Sequence, residues 1–228
     1  MGTVLQATPL LAPGQRLTRE EFLRRWYLMP ELKRAELIGG VVYMASPVGL
    51  GHSFEDSLVG GWAFTYASAT PGCWNLPNAT WRMLSDSPQP NICLTLLPEY
   101  GGRWRVSKGN IAEGVPELAV EIAASSMRRD LGPRRRLYEE AGVPEYLVVL
   151  VEQVKVLWLG LADGKYREIK PGADGVLRSE IFPGLWLDPE ALLTSDRVRL
   201  LTVLKQGLKS SEHRAFLAEL SRRKKLGR

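Results

Sequence analysis

The sequence predicts an α/β domain, a mixed β-sheet flanked by helices, with a basic helical C-terminal extension. Three observations carry that expectation. Helix-type and strand-type apolar patterns alternate in the order helix, hairpin, helix, strands, helix, strands. One apolar run, Glu117 to Ala124, has the length and composition of a buried strand and leads into a helical segment and further strand-like runs. At 228 residues with 45% apolar content, the chain can build one ordinary core and leaves little for a second. No repeat of fixed period points to a solenoid.

The first helix opens at Thr18, with Glu21 three residues on as the partner of a capping box, and stops by Pro30. Ala35 to Ile38 and Val41 to Ala45 are β-type runs joined by Gly39-Gly40, the signal of a two-residue hairpin. Phe54, Leu58, Trp62 and Tyr66, four apart within residues 50–69, predict a helix whose stripe packs on the core. His52 at its start reads as a local hydrogen-bonding residue. Cys73 to Leu84 and Ile92 to Leu97 predict strands either side of the turn-rich Ser85 to Pro88, and Pro98 to Gly114 predicts a loop or an insertion. After the Glu117 to Ala124 strand, Asp130 to Ala141 predicts a helix ended by Gly142. Val143 to Val151, Val154 to Leu161 and a run near Tyr166 predict one sheet. Phe182 to Leu187 reads as extended, before helices near 189–207 and 211–222.

Charge is unevenly placed. From Ser195 to Arg228 there are ten Lys or Arg against three Asp or Glu, so the net +5 of the whole chain leaves residues 1–194 at −2. Arg222-Arg223-Lys224-Lys225 is either a solvated helix end favoured by the helix dipole or a contact for phosphates. Leu200, Leu201, Leu204 and Leu208 could pack these helices on their own domain or on a second copy in a homodimer. Cys73 and Cys93 lack CxxC spacing and only two His occur, which argues for buried free thiols over a zinc site or disulfide. No apolar run is long enough for a membrane span, and the N-terminus lacks a signal-peptide pattern, so a cytoplasmic location is expected.

The most informative local conflict is Glu121, a carboxylate in the middle of the Glu117 to Ala124 strand. Such a group costs several kcal/mol unless it is paired or binds a cation, which leaves a structural ion pair and a metal ligand as its two readings. Metal-dependent phosphodiester hydrolysis needs carboxylates that hold Mg²⁺ and a cation near the attacking water. One compact solution places one acid at the start of a strand and another in the middle of its neighbour. Asn91 and Glu121 occupy those two places, and the helix that starts at Asp130 would bring Arg134 towards them.

Five segments occur in order: Ala35-Glu36-Leu37-Ile38-Gly39-Gly40, Gln89-Pro90-Asn91, Pro116-Glu117-Leu118-Ala119-Val120-Glu121-Ile122, Leu137-Tyr138 with Gly142-Val143-Pro144-Glu145-Tyr146, and Phe182-Pro183-Gly184-Leu185-Trp186-Leu187-Asp188. Together they resemble the Uma-two family of restriction endonucleases, a branch of the PD-(D/E)xK nuclease superfamily. The resemblance covers about residues 17–193. It implies an N-terminal arm over 1–16, a nuclease-like domain with the restriction-endonuclease-like fold over 17–193, and the basic extension over 194–228. It also implies Mg²⁺-dependent cleavage of DNA. Glu36 and Glu121 match acidic family positions, whereas Asn91 stands for the metal-binding Asp and Arg134 for the usual Lys. An amide brings no charge to a hard cation, and a guanidinium stays protonated. The resemblance therefore implies either an endonuclease with Asn91 and Glu121 as metal ligands, Glu36 in support and Arg134 on a phosphate, or a pseudoenzyme that binds nucleic acid or a protein partner. Arg128 and Arg129, with Arg222, Arg223, Lys224 and Lys225, are the candidate nucleic-acid contacts. Arg135 and Arg136 read as an exposed helix face.

Overall fold

A computed structural model describes residues 10–44, 49–107, 109–124 and 126–226, with the side chain of His52 outside that description. The reading of Ala45 as the end of a strand and of His52 as a local hydrogen-bonding residue lie outside the described residues.

Helix α1 (Arg19–Trp26) begins where the capping box predicts, with the Thr18 hydroxyl accepting from the Glu21 amide at 3.3 Å. Strands β1 (Ala35–Ile38) and β2 (Val41–Met44) pair antiparallel with Ile38 opposite Val41. Gly39 and Gly40 both take positive φ, as a two-residue hairpin turn demands. Their amides donate to the Asp86 carboxylate at 2.6 and 3.0 Å, which ties the turn to the segment before Gln89.

Helix α2 (Leu50–Ala69) forms as expected, but its stripe is buried only in its second half. Trp62 and Tyr66 are enclosed, whereas Phe54 is 64% exposed. A spacing of four drifts about 40° around a helix at each step, so three steps carry Phe54 about 120° away from Tyr66. The predicted strand from Cys73 to Leu84 is also divided, into β3 (Cys73–Pro77) and β4 (Trp81–Arg82), with Asn78 between them at a φ of 53°. Strand β5 spans Ile92–Leu96. The expected loop at 98–114 contains two short strands, β6 (Trp104–Val106) and β7 (Ala112–Gly114), which join β4 in a three-stranded sheet. Strands of three residues are too short to show an apolar alternation.

The chain then forms β8 (Leu118–Ala123), α3 (Met127–Arg129), a wide turn at Asp130–Arg134, and α4 (Arg135–Ala141), which ends on left-handed Gly142. The expected single helix over 130–141 is thus interrupted, at Gly132-Pro133, where Pro removes a backbone donor and Gly132 leaves helical angles. Strands β9 (Glu145–Leu150), β10 (Lys155–Ala162) and β11 (Lys165–Glu168) follow, then β12 (Leu177–Arg178) and β13 (Trp186–Leu187) as a small ribbon. Three helices close the chain: α5 (Pro189–Leu193), α6 (Arg197–Leu208) and α7 (Ser211–Leu226).

The main sheet has six strands in the order β11-β10-β9-β8-β5-β3. β8 and β9 run parallel, and the other neighbours run antiparallel, so the sheet is mixed as predicted. A parallel pair needs a long crossover, here supplied by α3, the wide turn and α4. Alternation along β8 sends its side chains to two cores. Val120 and Ile122 meet Trp62 and Tyr66 of α2 together with Leu200, Leu204 and Leu220 of α6 and α7. Ala119 and Ala123 meet Leu137, Tyr138 and Tyr146 on the opposite face. The C-terminal helices thus pack on their own chain. Buried His213 fastens them, with its ring nitrogens 3.1 Å from the Thr70 hydroxyl and 2.9 Å from the Leu208 carbonyl. Cys73 and Cys93 are buried free thiols, as expected. Among the described residues no helix is long and apolar enough to cross a membrane.

Candidate functional site

Glu121 lies in the middle of β8 on the face that meets α4, where every neighbour on the strand is buried. Its position between Ala119 and Ala123 leaves room for a large side chain from the crossover, and Arg134 fills that room. The wide turn delivers it: Arg134 is the last residue of that turn and only 1% exposed. Its guanidinium meets three carboxylates. One terminal nitrogen lies 3.0 Å from Glu121 Oε2 and 2.5 Å from Asp130 Oδ1, and the other contacts Glu36 Oε2.

Each carboxylate has further donors. Tyr138, one turn beyond Arg134 on α4, donates its hydroxyl to Glu121 Oε1 at 3.0 Å. Ser126 donates to Asp130 Oδ2 at 2.5 Å, and the Gln89 amide donates to Glu36 Oε2 at 3.1 Å. Gln89 also holds Thr80 Oγ1 at 3.1 Å through its side-chain amide. Asn91 sits just before β5, beside the β8 register, and its Oδ1 accepts from the Ile122 amide at 3.2 Å. It thereby continues the β5–β8 ladder with a side chain.

The electrostatics follow from three acids around one buried cation. Burial pushes the Glu121 carboxyl up to about 8 against the pull of Arg134, and Asp130 and Glu36 push it the same way. Burial disfavours the charged form of Arg134, but Glu121 and Glu36 more than offset this and hold its proton well above the usual range. Glu145 makes a useful contrast. It is equally buried, but its oxygens accept from Ser179, from the amides of Glu180 and Ile181 and from the Trp158 indole, with no cation in contact among the described residues. It pins the turn after β12 to β9.

The structure thus brings Glu36, Asn91, Glu121 and Arg134 to one place. Arg129 stands at its edge, 3.5 Å from Asp130 and with its guanidinium 5.1 Å from the centre of the Tyr43 ring, while Arg128 is exposed. Arg222, Arg223, Lys224 and Lys225 lie elsewhere, on α7, which packs on the other face of the main sheet. Arg222 and Arg223 pair with Glu219, and Lys224 lies 5.2 Å from the centre of the Tyr100 ring. Asp130, Tyr138 and Gln89 belong to the cluster and were not among the expected site residues. The i,i+4 spacing of Asp130 and Arg134 was the available signal for the first.

The Uma2 family model, described as "Putative restriction endonuclease", matches residues 19–190. The chain belongs to the Uma2 family. The match runs from α1 into the start of α5 and so takes in the whole Glu121 cluster. Among solved structures, the fold is similar to that of the "putative nuclease belonging to DUF820" from Anabaena variabilis ATCC 29413, with a TM-score of 0.53 and 14% identity over 75% of this chain and 98% of that one. At that identity the likeness is one of fold, and it bears out the nuclease-like α/β architecture. No curated protein matches the chain.

Uma2 membership implies a divalent metal, and the residues present do not fit one. Hard cations need several free carboxylate or carbonyl oxygens. Glu121 Oε1, Glu36 Oε2 and Asn91 Oδ1 already accept hydrogen bonds inside the protein, Glu121 Oε2 is ion-paired with Arg134 at 3.0 Å, and the point between the acids is filled by that guanidinium. Among the described residues no group of three or more His, Cys, Asp or Glu is arranged to hold a metal ion.

Proposed function

We propose that this chain is a pseudoenzyme of the Uma2 family, a nuclease-fold protein that binds DNA and does not hydrolyse it with Mg²⁺. One observation carries the reading: the Arg134 guanidinium sits among Glu36, Glu121 and Asp130, so that the acids neutralise a side chain of the same protein. The Lys that the family uses at this position is shorter and carries a compact ammonium. The arginine fork binds two carboxylates at once and cannot release a proton to act as a base.

Binding to DNA is supported by cations that the fold leaves available. Arg197 and Lys205 on α6, Lys209 just after it, and Arg214 and Lys225 on α7 are exposed, and none has an ion-pair partner among the described residues. Such side chains neutralise phosphates and release counterions, which makes affinity fall with salt.

Two measurements test the reading. Incubation of DNA with the chain and Mg²⁺ or Mn²⁺ should give no cleavage, and cleavage that Glu121→Gln abolishes would overturn the proposal. Asn91→Asp combined with Arg134→Lys restores both family groups, and it should gain cleavage that neither single change gives. In a binding titration, the double charge reversal Lys205→Glu with Lys209→Glu should weaken DNA binding and flatten its salt dependence. Unchanged binding would remove DNA as the partner of this surface and leave a protein partner as the alternative.

A further inference from the structure

An open cavity of about 630 Å³ lies between the end of α1 and the small three-stranded sheet, apart from the Glu121 cluster. Its lining includes Trp26, Tyr27, Lys33, Thr80, Trp104 and Asn110. We propose that it receives an unstacked nucleobase of single-stranded DNA, with Lys33 meeting the adjacent phosphate. The inference rests on the DNA-binding reading above and adds a second, base-contacting site to it.

The aromatic walls are held in place from behind. The Trp26 indole donates to the Leu32 carbonyl and the Trp104 indole to the Leu96 carbonyl, each at 2.7 Å. Their rings also pack on Phe22 and Trp81, with centroids 5.4 and 6.0 Å apart. Both indole donors are therefore spent within the fold, and the rings remain as fixed apolar surface. Tyr27 is 57% exposed and lies against Gly109, where a Cβ would come within 2.3 Å of its hydroxyl. That glycine lets the phenol lie over the 109–110 turn. Fixed aromatic faces suit bases of any identity, because stacking needs only a π-face.

Polar groups mark the same cavity. The Lys33 ammonium donates to the Pro30 carbonyl at 2.7 Å and pairs with no carboxylate among the described residues. Thr80 is held by the Gln89 side-chain amide, and the Gln89 backbone amide holds Glu36. A single residue therefore connects the cavity wall to the acid cluster at the family's hydrolytic position. The volume lies within the range of small-ligand pockets, which accommodates a nucleoside.

The test uses the full chain and a short single-stranded deoxyoligonucleotide, followed by tryptophan emission and anisotropy. The strand should quench tryptophan emission and bind more tightly than a strand of equal length that lacks bases. Tyr27→Ala with Lys33→Ala should weaken single-strand binding about tenfold, in line with ~1–3 kcal/mol per stacked base, and leave duplex binding unchanged. Both substituted side chains are exposed, and a thermal melt confirms that the variant folds. If the variant binds single strands like the parent while Lys205→Glu with Lys209→Glu loses binding, the cavity proposal is overturned and the DNA-binding reading stands. Equal affinity for the strand without bases would overturn it as well. If the parent binds neither form of DNA, both readings fall together.

Discussion

Arg134 illustrates how one side chain can set the chemistry of a buried site. Removing one partner of a buried ionic group leaves uncompensated charge, at a cost of about 3–5 kcal/mol. Arg134→Ala should therefore lower stability by that order, because Glu36, Glu121 and Asp130 would face one another with no cation between them. Millimolar Mg²⁺ or Ca²⁺ should raise the melting temperature of this variant and leave the parent unchanged. A variant whose melting ignores both ions would show that the acids relax apart. Glu121 makes the second prediction. Its carboxyl is pushed from an ordinary 4.5 up to about 8, so its contribution is fully present below pH 4.5 and is lost as pH rises through 8. Glu145, pushed up to about 7, acts in the same direction. Urea midpoints of the parent should thus fall between pH 5 and pH 8.5, and Glu121→Gln should show a shallower fall. A variant with the same fall as the parent would assign the effect elsewhere. At this scale Glu121 was legible, because an acid in an apolar strand demands a partner. The partner was harder to read: Arg134 was placed towards the site by family spacing, but its reach to Glu36, 98 residues away, depends on a tertiary contact that no local pattern records.

The β1–β2 hairpin shows what an element owes to a distant residue. Gly39-Gly40 fixes the two-residue turn, and the Asp86 carboxylate satisfies both amides. Asp86→Ala should cost about 1.5–3 kcal/mol, the order of a hydrogen bond to a charged group, as read by chemical denaturation. The loss should also loosen Glu36, because β1 carries it. A change below 0.5 kcal/mol on the scale of ordinary surface substitutions would mean that water replaces the carboxylate. Elements with strong local signals, such as the capped α1 and the glycine turn, were legible. β6 and β7 were not, since three residues are too few to carry a period. The interruption of the crossover helix had its cue in Gly132-Pro133, whose breaking effect was outweighed by the apolar residues on either side.

For the whole molecule, the placement of α6 and α7 decides what the basic extension can be. Leu200, Leu204 and Leu220 share a core with Trp62 and Tyr66, so removal of residues 195–228 would expose apolar surface along α2. The truncated chain should fail to fold, seen as lost solubility or lost cooperative melting, whereas charge reversals on the outer face should melt like the parent. A soluble, cooperative truncation would contradict this account. The alternation of patterns made the mixed sheet legible and the leucine spacing made the two helices legible. The face on which they dock was not, because periodicity defines an apolar stripe without naming its partner.

Arg134 also constrains how this lineage could change again. With the guanidinium in place, Asn91→Asp would present an oxygen still claimed by the Ile122 amide to a centre already filled. With Asn91 in place, Arg134→Lys would open a centre whose ligand set still lacks one of the carboxylate charges that a hard cation needs. On the proposed pseudoenzyme reading, neither change alone restores a metal site, so Asn91 and Arg134 would work together as a ratchet. On that reading the fold would be kept while the surface diversified, with the Glu121–Arg134 centre retained as internal masonry.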